Sequence, residues 1–459
     1  MKNLRFILAL VIFLAPATAA RAQVFVGSTP AAAATPQPTP AQPTSVSPIP
    51  PSASDGAPAE DVLPQMDEQP AFSRQGVLVE TLEGGLVREQ AADQPFNPAS
   101  AVKLLTALDA LRTFGPKHRF ATTFWITGTF DKTTGTVNGD LVVSGRDPSF
   151  HDEHAVAVAR ELNQLGIKTV TGDLVIAPRF TMDFNASSKR SGERLYDTLD
   201  ATRRPVAAAR AWTDSRAAAG DADALRSTPS VAVMGSVYVD SVPRNARAIS
   251  MHYSPALVDV LKVLLCYSNN FMAERLGDQL GGAQGVEDFL ARELGFKRGE
   301  FRLSSTSGLG VNRVTPRQMM KVYRALLDTL HESNLKAADI LPVAGVDPGT
   351  LQKRYADKPN RGSIIAKTGT LPRTDGGASA LVGQMRTRDG ATLLFVILDQ
   401  RGSVVRFRQW QDALVSEVQG TRGGPLAFTY SPQVMAIRLS ASEFDSARAG
   451  GLDEYEQVP

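Results

Sequence analysis

The sequence predicts an α+β protein, and three observations carry that assignment. An apolar hairpin opens the part of the chain that looks foldable, long apolar helices fill its middle, and three successive antiparallel strands with a final helix close it. No internal repeat organises the 459 residues.

Taken in order, residues 1–22 read as a secretory leader: Lys2 and Arg5, then the apolar run Phe6–Leu14, then the small-x-small site Ala20-Arg21-Ala22. The apolar run is too short to span a bilayer, so no transmembrane anchor is expected once the leader is removed. Residues 23–69 are rich in Pro, Ala, Thr, Ser and Gln, with eight prolines between Pro30 and Pro51, and predict an extended linker. Gly76–Glu80 and Gly85–Glu89 flank a Glu83-Gly84 turn as a hairpin. Asn97 is placed to cap a helix with Pro98 at its first position. Ala101, Leu104, Leu105, Leu108 and Leu111 then follow at helical spacing, and Gly115-Pro116 stops it. Ala121–Phe130, Gly139–Ser144 and Lys168–Ala177 read as strands, and Arg160–Leu165 as helix.

From Pro178 to Thr228 the pattern fades, leaving either a small inserted helical region or a partly disordered one. Ser230–Val239 alternates as a strand. Ser254-Pro255 opens an apolar helix through Tyr267, Asn270–Leu280 forms another, and Thr315-Pro316 opens a third to about Leu327. Ser363–Thr370, Ala378–Met385 and Thr392–Leu398 are the three antiparallel strands, and Val404–Val418 the closing helix. Residues from Glu443 onward, acidic and Gly-containing, predict a loose tail.

Composition excludes some classes of function. The formal charge is +2 and stays near zero without the leader's three cations, and no basic tract suits nucleic acid. The single cysteine, Cys266, rules out an intrachain disulfide and lies in an apolar helix, which predicts a buried thiol. His151 and His154 have a zinc-like spacing beside Asp152 and Glu153. Nothing in that segment completes a site, so a solvated turn or helix is favoured and no metal or other cofactor is expected.

Three short runs carry the chemistry. Ser100-Ala101-Val102-Lys103 puts a hydroxyl and an amine one helical turn apart. A serine hydroxyl needs a base, and lysine acts as one only when neutral, a state favoured by burial and by a neighbouring cation such as Lys367. Ser268-Asn269-Asn270 falls between two helices, where Ser268 is placed to relay a proton and Asn270 to hold Lys103 or substrate; simple N-capping is the competing reading. Lys367-Thr368-Gly369 lies in a strand, with Lys367 and Gly369 on one face. The glycine allows another backbone to approach, as a peptide docking on the strand edge requires. Each run alone is weak, and a second Ser-x-x-Lys stands at Ser333…Lys336. All three in this order form the signature of serine acyl-transfer enzymes.

Beyond these runs the chain resembles the D-Ala-D-Ala carboxypeptidase/endopeptidase family of class C low-molecular-mass penicillin-binding proteins. The similarity includes Asn97-Pro98-Ala99-Ser100, Gly139-Asp140-Leu141 with Asp147-Pro148, and Gly166-Ile167 with Gly172-Asp173-Leu174. It continues through Ala273-Glu274, Ser307-Gly308-Leu309 to Pro316, and Leu341-Pro342-Val343-Ala344-Gly345. The resemblance implies a serine β-lactamase/penicillin-binding-protein-like transpeptidase domain, a five-stranded antiparallel sheet flanked by helices. The span from Ser100 to Ser268 is shorter than the family's, which implies a reduced inserted domain. The expected divisions are 70–148 and 249–425 for the two parts of the transpeptidase-like domain, 149–248 for the insert, and 426–459 for a C-terminal extension.

By the same resemblance Ser100 is the acylated nucleophile, Lys103 the general base, and Ser268 and Asn270 the relay and positioning pair. Lys367 and Thr368 bind the substrate carboxylate, Gly369 and Thr370 complete the substrate-binding strand, and the Ser100 and Thr370 N–H groups form the oxyanion hole. The implied activity is that of an exported, periplasmic or envelope D,D-carboxypeptidase/endopeptidase on peptidoglycan stem peptides, with β-lactams as covalent inhibitors. A β-lactamase or esterase on the same fold, and a peptidoglycan-binding scaffold with a weak site, are the competing readings.

Overall fold

The computed structural model describes residues 74–297 and 299–446. The expected leader, the linker and the tail beyond residue 446 lie outside the described residues. In chain order the first elements are β1 (Arg74–Thr81), β2 (Leu86–Gln90) and α1 (Lys103–Phe114). There follow β3 (Ala121–Ile126), β4 (Thr129–Asp131), β5 (Thr136–Asn138), β6 (Leu141–Gly145), α2 (Asp152–Gln164), β7 (Thr169–Val170) and β8 (Leu174–Ile176). Next are α3 (Ser188–Leu199), α4 (Val206–Ala219), α5 (Ala222–Arg226), β9 (Ala232–Val233), β10 (Val237–Val239) and β11 (Arg247–Tyr253). The helices α6 (Leu257–Tyr267), α7 (Asn270–Gly277), α8 (Gly282–Leu294), α9 (Pro316–Glu332) and α10 (Ala337–Ile340) precede β12 (Ile364–Leu371), β13 (Ala378–Arg386) and β14 (Thr392–Gln400). Last come α11 (Val404–Gly420), α12 (Met435–Ser440) and β15 (Glu443–Ser446).

The catalytic body is a five-stranded antiparallel sheet in the order β12-β13-β14-β1-β2. Its strands read as nearly continuous apolar runs because both faces are covered. Leu394, Val396 and Leu398 pack with α1, α6, α8 and α9 on one face, while Leu393, Phe395 and Ile397 pack with Leu414, Val415 and Val418 of α11 on the other.

The insert begins earlier than residue 149. Strands β3 and β6 pair with β11 and β8, not with the catalytic sheet, so residues 121–148 belong to the insert, which β11 closes at Tyr253. It contains a six-stranded sheet, β10-β8-β6-β3-β11-β15, and a four-stranded one, β4-β5-β7-β9, around one core that includes Phe124, Val137, Leu174 and Ile176. The runs Lys168–Ala177 and Ser230–Val239, expected as single strands, each cross from the smaller sheet to the larger at a glycine. These crossings stack. Gly172 N–H donates to Gly139 O and Gly235 N–H to Gly172 O, each at 2.9 Å. A Cβ on Gly172 would meet Gly139 O at 2.6 Å, which is why no side chain stands there.

Residues 178–228, left open by the sequence, are mainly helical: α3 buries Leu195 and Leu199 in the insert core, and α4 packs Trp212 beside α2. The expected loose tail is also ordered as far as residue 446. There β15 pairs with β11, and just before it α12 lies on α6 through Met435 and Cys266. His151 and His154 sit at the start of α2, where both rings bond to main-chain atoms: His151 Nδ1 to Ser149 O at 2.5 Å and His154 Nε2 to Leu439 O at 2.7 Å. Both are buried, not solvated. Cys266 is fully buried and burial pushes its thiol up to about 12.

One buried ion pair ties the body to the site. Lys262 of α6 and Asp347 are both fully buried and 2.7 Å apart. The Lys262 ammonium also donates to the carbonyls of Ala338 and Leu341, and Asp347 accepts from Val343 N and the Tyr430 hydroxyl. The pair thus fixes α6, whose end carries Ser268, against the segment that flanks β12. Asp347→Ala leaves a buried ammonium without its counter-charge and is expected to cost about 3–5 kcal/mol. Equilibrium urea unfolding of the variant beside wild type measures this.

Candidate active site

The helix expected to start at Pro98 starts differently. Asn97 is fully buried and its Oδ1 accepts from Ala99 N at 3.1 Å, but residues 99–102 form a 3₁₀ turn and α1 begins only at Lys103. Ser100 therefore projects from a tight turn and Lys103 from the first residue of the α-helix, and the one-turn relation survives: Lys103 Nζ is 3.0 Å from Ser100 Oγ. Ala99, just before the serine, has φ 47°, a costly conformation for a residue with a Cβ.

Of Ser268-Asn269-Asn270, the middle residue is the cap: Asn269 Oδ1 accepts from Met272 N at 3.0 Å at the start of α7. Capping and site geometry therefore coexist, with Ser268 and Asn270 released to face the cleft. Ser268 sits in the left-handed region, φ 55° and ψ 43°, at the end of α6. Asn270 Oδ1 accepts from Lys103 Nζ at 2.7 Å.

Lys103 is fully buried and donates a third bond to Ser307 O at 2.6 Å. Burial pushes its amine down to about 7, with the Glu274 carboxylate pulling the other way. Glu274 in turn accepts from Thr306 Oγ1 and Ser307 N, which fixes the carbonyl that holds Lys103. Glu274 and Ser307 stood out in the sequence only within longer similar stretches. A main-chain carbonyl has no residue type to reveal it.

Lys367 is also fully buried. Its Nζ lies 2.8 Å from Ser268 Oγ and 2.6 Å from Thr368 O. Burial first, and then the Lys103 charge, hold its amine well below the usual lysine range. Burial is thus the larger cause at both lysines, and the two amines lie close enough to repel each other.

Gly369 does admit a close backbone, but it is the protein's own. A Cβ there would lie 2.5 Å from Pro98 O and 3.1 Å from the Ala99 Cβ, so the strand and the nucleophile turn are in direct contact. The edge of β12 that stays open is the outer one. Ala366 N donates outward to Pro342 O, and by strand alternation the N–H groups of Thr368 and Thr370 face the same way. Ser100, Ser268, Asn270, Thr368 and Thr370 line one cleft of about 570 Å³. Thr350, Lys353, Arg354 and Arg408 line it too, and sequence reasoning singled out none of them. Ser333 and Lys336, the second Ser-x-x-Lys, lie at the end of α9 and the start of α10 and take no part in the cleft.

A serine hydroxyl on a buried, readily deprotonated amine, a second serine–lysine pair beside it, and an open strand edge are the parts that serine acyl transfer requires, and here they stand on a β-lactamase-like fold. The chain belongs to the D-Ala-D-Ala carboxypeptidase 3 (S13) family, whose model matches residues 60–183 and 195–418, and by that membership it is a serine-type peptidase. It is 26% identical over 354 residues to carboxypeptidase DacB of Mycolicibacterium smegmatis, covering 70% of this chain and 75% of the relative. It is also 26% identical over 421 residues to a D-alanyl-D-alanine carboxypeptidase of Actinomadura sp., covering 70% and 76%. Among solved structures, a penicillin G-acylated predatory endopeptidase of Bdellovibrio bacteriovorus superposes with a TM-score of 0.68 at 21% identity, covering 82% of this chain and 100% of that one. Penicillin-binding protein 4 of Haemophilus influenzae gives 0.56 at 23%, covering 76% and 97%.

Since Lys103 loses its proton near pH 7, reaction at Ser100 is expected to fall about tenfold for each pH unit below that point and to level off above it. Second-order rates of acylation by a chromogenic β-lactam between pH 5 and 9 measure the profile. A flat profile would remove Lys103 as the base.

Proposed function

We propose that the protein is an exported D,D-carboxypeptidase/endopeptidase that hydrolyses D-Ala-terminated peptidoglycan stem peptides or their crosslinks through an acyl-enzyme at Ser100, and that β-lactams acylate the same serine. The observation that carries this reading is the buried Lys103 amine, 3.0 Å from Ser100 Oγ and depressed to about 7. Family membership and the acylated structural neighbour support it, and the leader-like residues 1–22 support export. Among the described residues, no helix is long and apolar enough to cross a membrane.

In this mechanism neutral Lys103 takes the Ser100 proton as Oγ attacks the penultimate D-Ala carbonyl carbon. The developing oxyanion is held by the Ser100 and Thr370 N–H groups. The tetrahedral intermediate collapses with cleavage of the C–N bond, and the leaving amine takes the proton held on Lys103 by way of the Ser268 hydroxyl, which Lys367 holds at 2.8 Å, so that Lys103 is neutral again. Asn270 fixes Lys103 throughout. Water then attacks the ester carbonyl, giving up its proton to the same base, and the free acid leaves as Ser100 is restored.

Wild-type protein is expected to bind a fluorescent penicillin covalently and to release D-Ala from a stem pentapeptide. Ser100→Ala should lose both, with turnover lower by about 10⁴-fold or more. Gel fluorescence and a D-Ala assay read the two outcomes. Labelling that persists in Ser100→Ala would refute the nucleophile. Rapid release of bound penicillin by wild type would point to a β-lactamase, and no labelling at all to a scaffold.

A further inference from the structure

The substrate proposed above ends in a carboxylate, and the lysine expected to bind it is badly placed to do so. Lys367 has no exposed surface, and its amine is already engaged by Ser268 Oγ and Thr368 O. Thr368 Oγ1 is itself bonded to Thr350 Oγ1 at 2.8 Å, and the threonine hydroxyls carry no charge. An accessible cation has to come from elsewhere along the cleft.

The wall facing Thr368 and Thr370 is built by α11 and by residues 350–354. Arg354 is neutralised there by Asp412, at 2.5 Å, and also bonds Gln411. Arg408 is different. Its Nη2 donates to Thr370 Oγ1 at 2.9 Å, it is exposed, and no carboxylate lies within ion-pair distance of it among the described residues. Its guanidinium thus stands at the threonine whose N–H faces the substrate edge, with donors left for a planar anion.

We propose that Arg408 is the specificity-determining cation of this site, reading the free carboxylate of the leaving residue while Thr370 holds the scissile carbonyl. The assignment rests on the function proposed above. When a carbonyl oxygen sits at Thr370 N–H, the carboxylate of the next residue lies one residue further along the strand edge, about 3–4 Å on. That is within reach of a guanidinium already anchored on the Thr370 side chain. A fork of parallel N–H groups matches a carboxylate in a way one ammonium does not. The Thr370 hydroxyl holds the arginine in place and donates its own proton to Gly369 O at 2.8 Å. Lys353 lines the same wall and supplies a more diffuse positive field.

The test is a pair of acyl-D-alanyl thioesters that differ only in the leaving group, thioglycolate in one and thioglycolamide in the other. Wild type is expected to favour the carboxylate in kcat/KM. Arg408→Ala should shrink the ratio of the two rates by about tenfold or more, chiefly through KM of the carboxylate substrate, and Arg408→Lys should restore part of it. Full labelling by saturating penicillin and an unaltered melting temperature establish that each variant is folded with a reactive Ser100. An unchanged ratio in Arg408→Ala overturns the proposal, as does loss of the ratio in Lys353→Ala instead. If wild-type protein is not labelled and cleaves neither thioester, the failure belongs to the function proposed above and not to Arg408.

Discussion

Two lysine amines are buried side by side in this protein, and most of the surrounding architecture exists to make that tolerable. Taking ammonium groups out of water is expensive unless each finds acceptors or gives up its proton. Lys103 finds three acceptors, from the nucleophile turn, from α7 and from the loop at Ser307. Lys367 finds a serine and its own strand. These elements meet at one point only because the sheet, the α6–α7 junction and the 304–312 loop are held in register. The cost of burial is therefore met by the tertiary structure, and the same burial lets the Lys103 amine give up its proton near neutral pH.

Strain is present at the same place. Of the ten non-glycine residues with positive φ among the described residues, Ala99 and Ser268 lie next to and at the two serines of the cleft. Each is held there by neighbours: Ala99 between the Asn97 side chain and Gly369, Ser268 between the fixed end of α6 and the Asn269 cap. The buried Lys262–Asp347 pair anchors α6, the helix that ends at Ser268, in the core. Both serines are thus positioned by packed neighbours.

Much of this was legible in the sequence, for identifiable reasons. Ser100, Lys103, Ser268, Asn270, Lys367 and Thr368 carry side-chain chemistry at fixed local spacing, and local spacing survives folding. The catalytic strands were legible because apolar runs covered on both faces contrast with their turns. The Ser307 carbonyl, Thr350 and Arg408 were not, since their positions near the serine depend on pairings between elements far apart in the chain. The insert was misread at its joints for a related reason. Lys168–Ala177 has strand composition throughout, and only the stacking of Gly172 on Gly139 and Gly235 shows that it bends from one sheet into another.

The short strand β15 has a consequence for how the molecule comes into being. It supplies the edge partner of β11, with Ser250 and Ser446 hydroxyls 2.7 Å apart across 196 positions of sequence. Until residues 443–446 are in place, β11 keeps an unpaired edge at Ser250–Tyr253, the kind of edge that invites pairing with another chain. Closure of so distant a contact is intrinsically slow. A module that looks self-contained thus takes its last strand from residues 443–446, nearly two hundred positions beyond the strand they pair with.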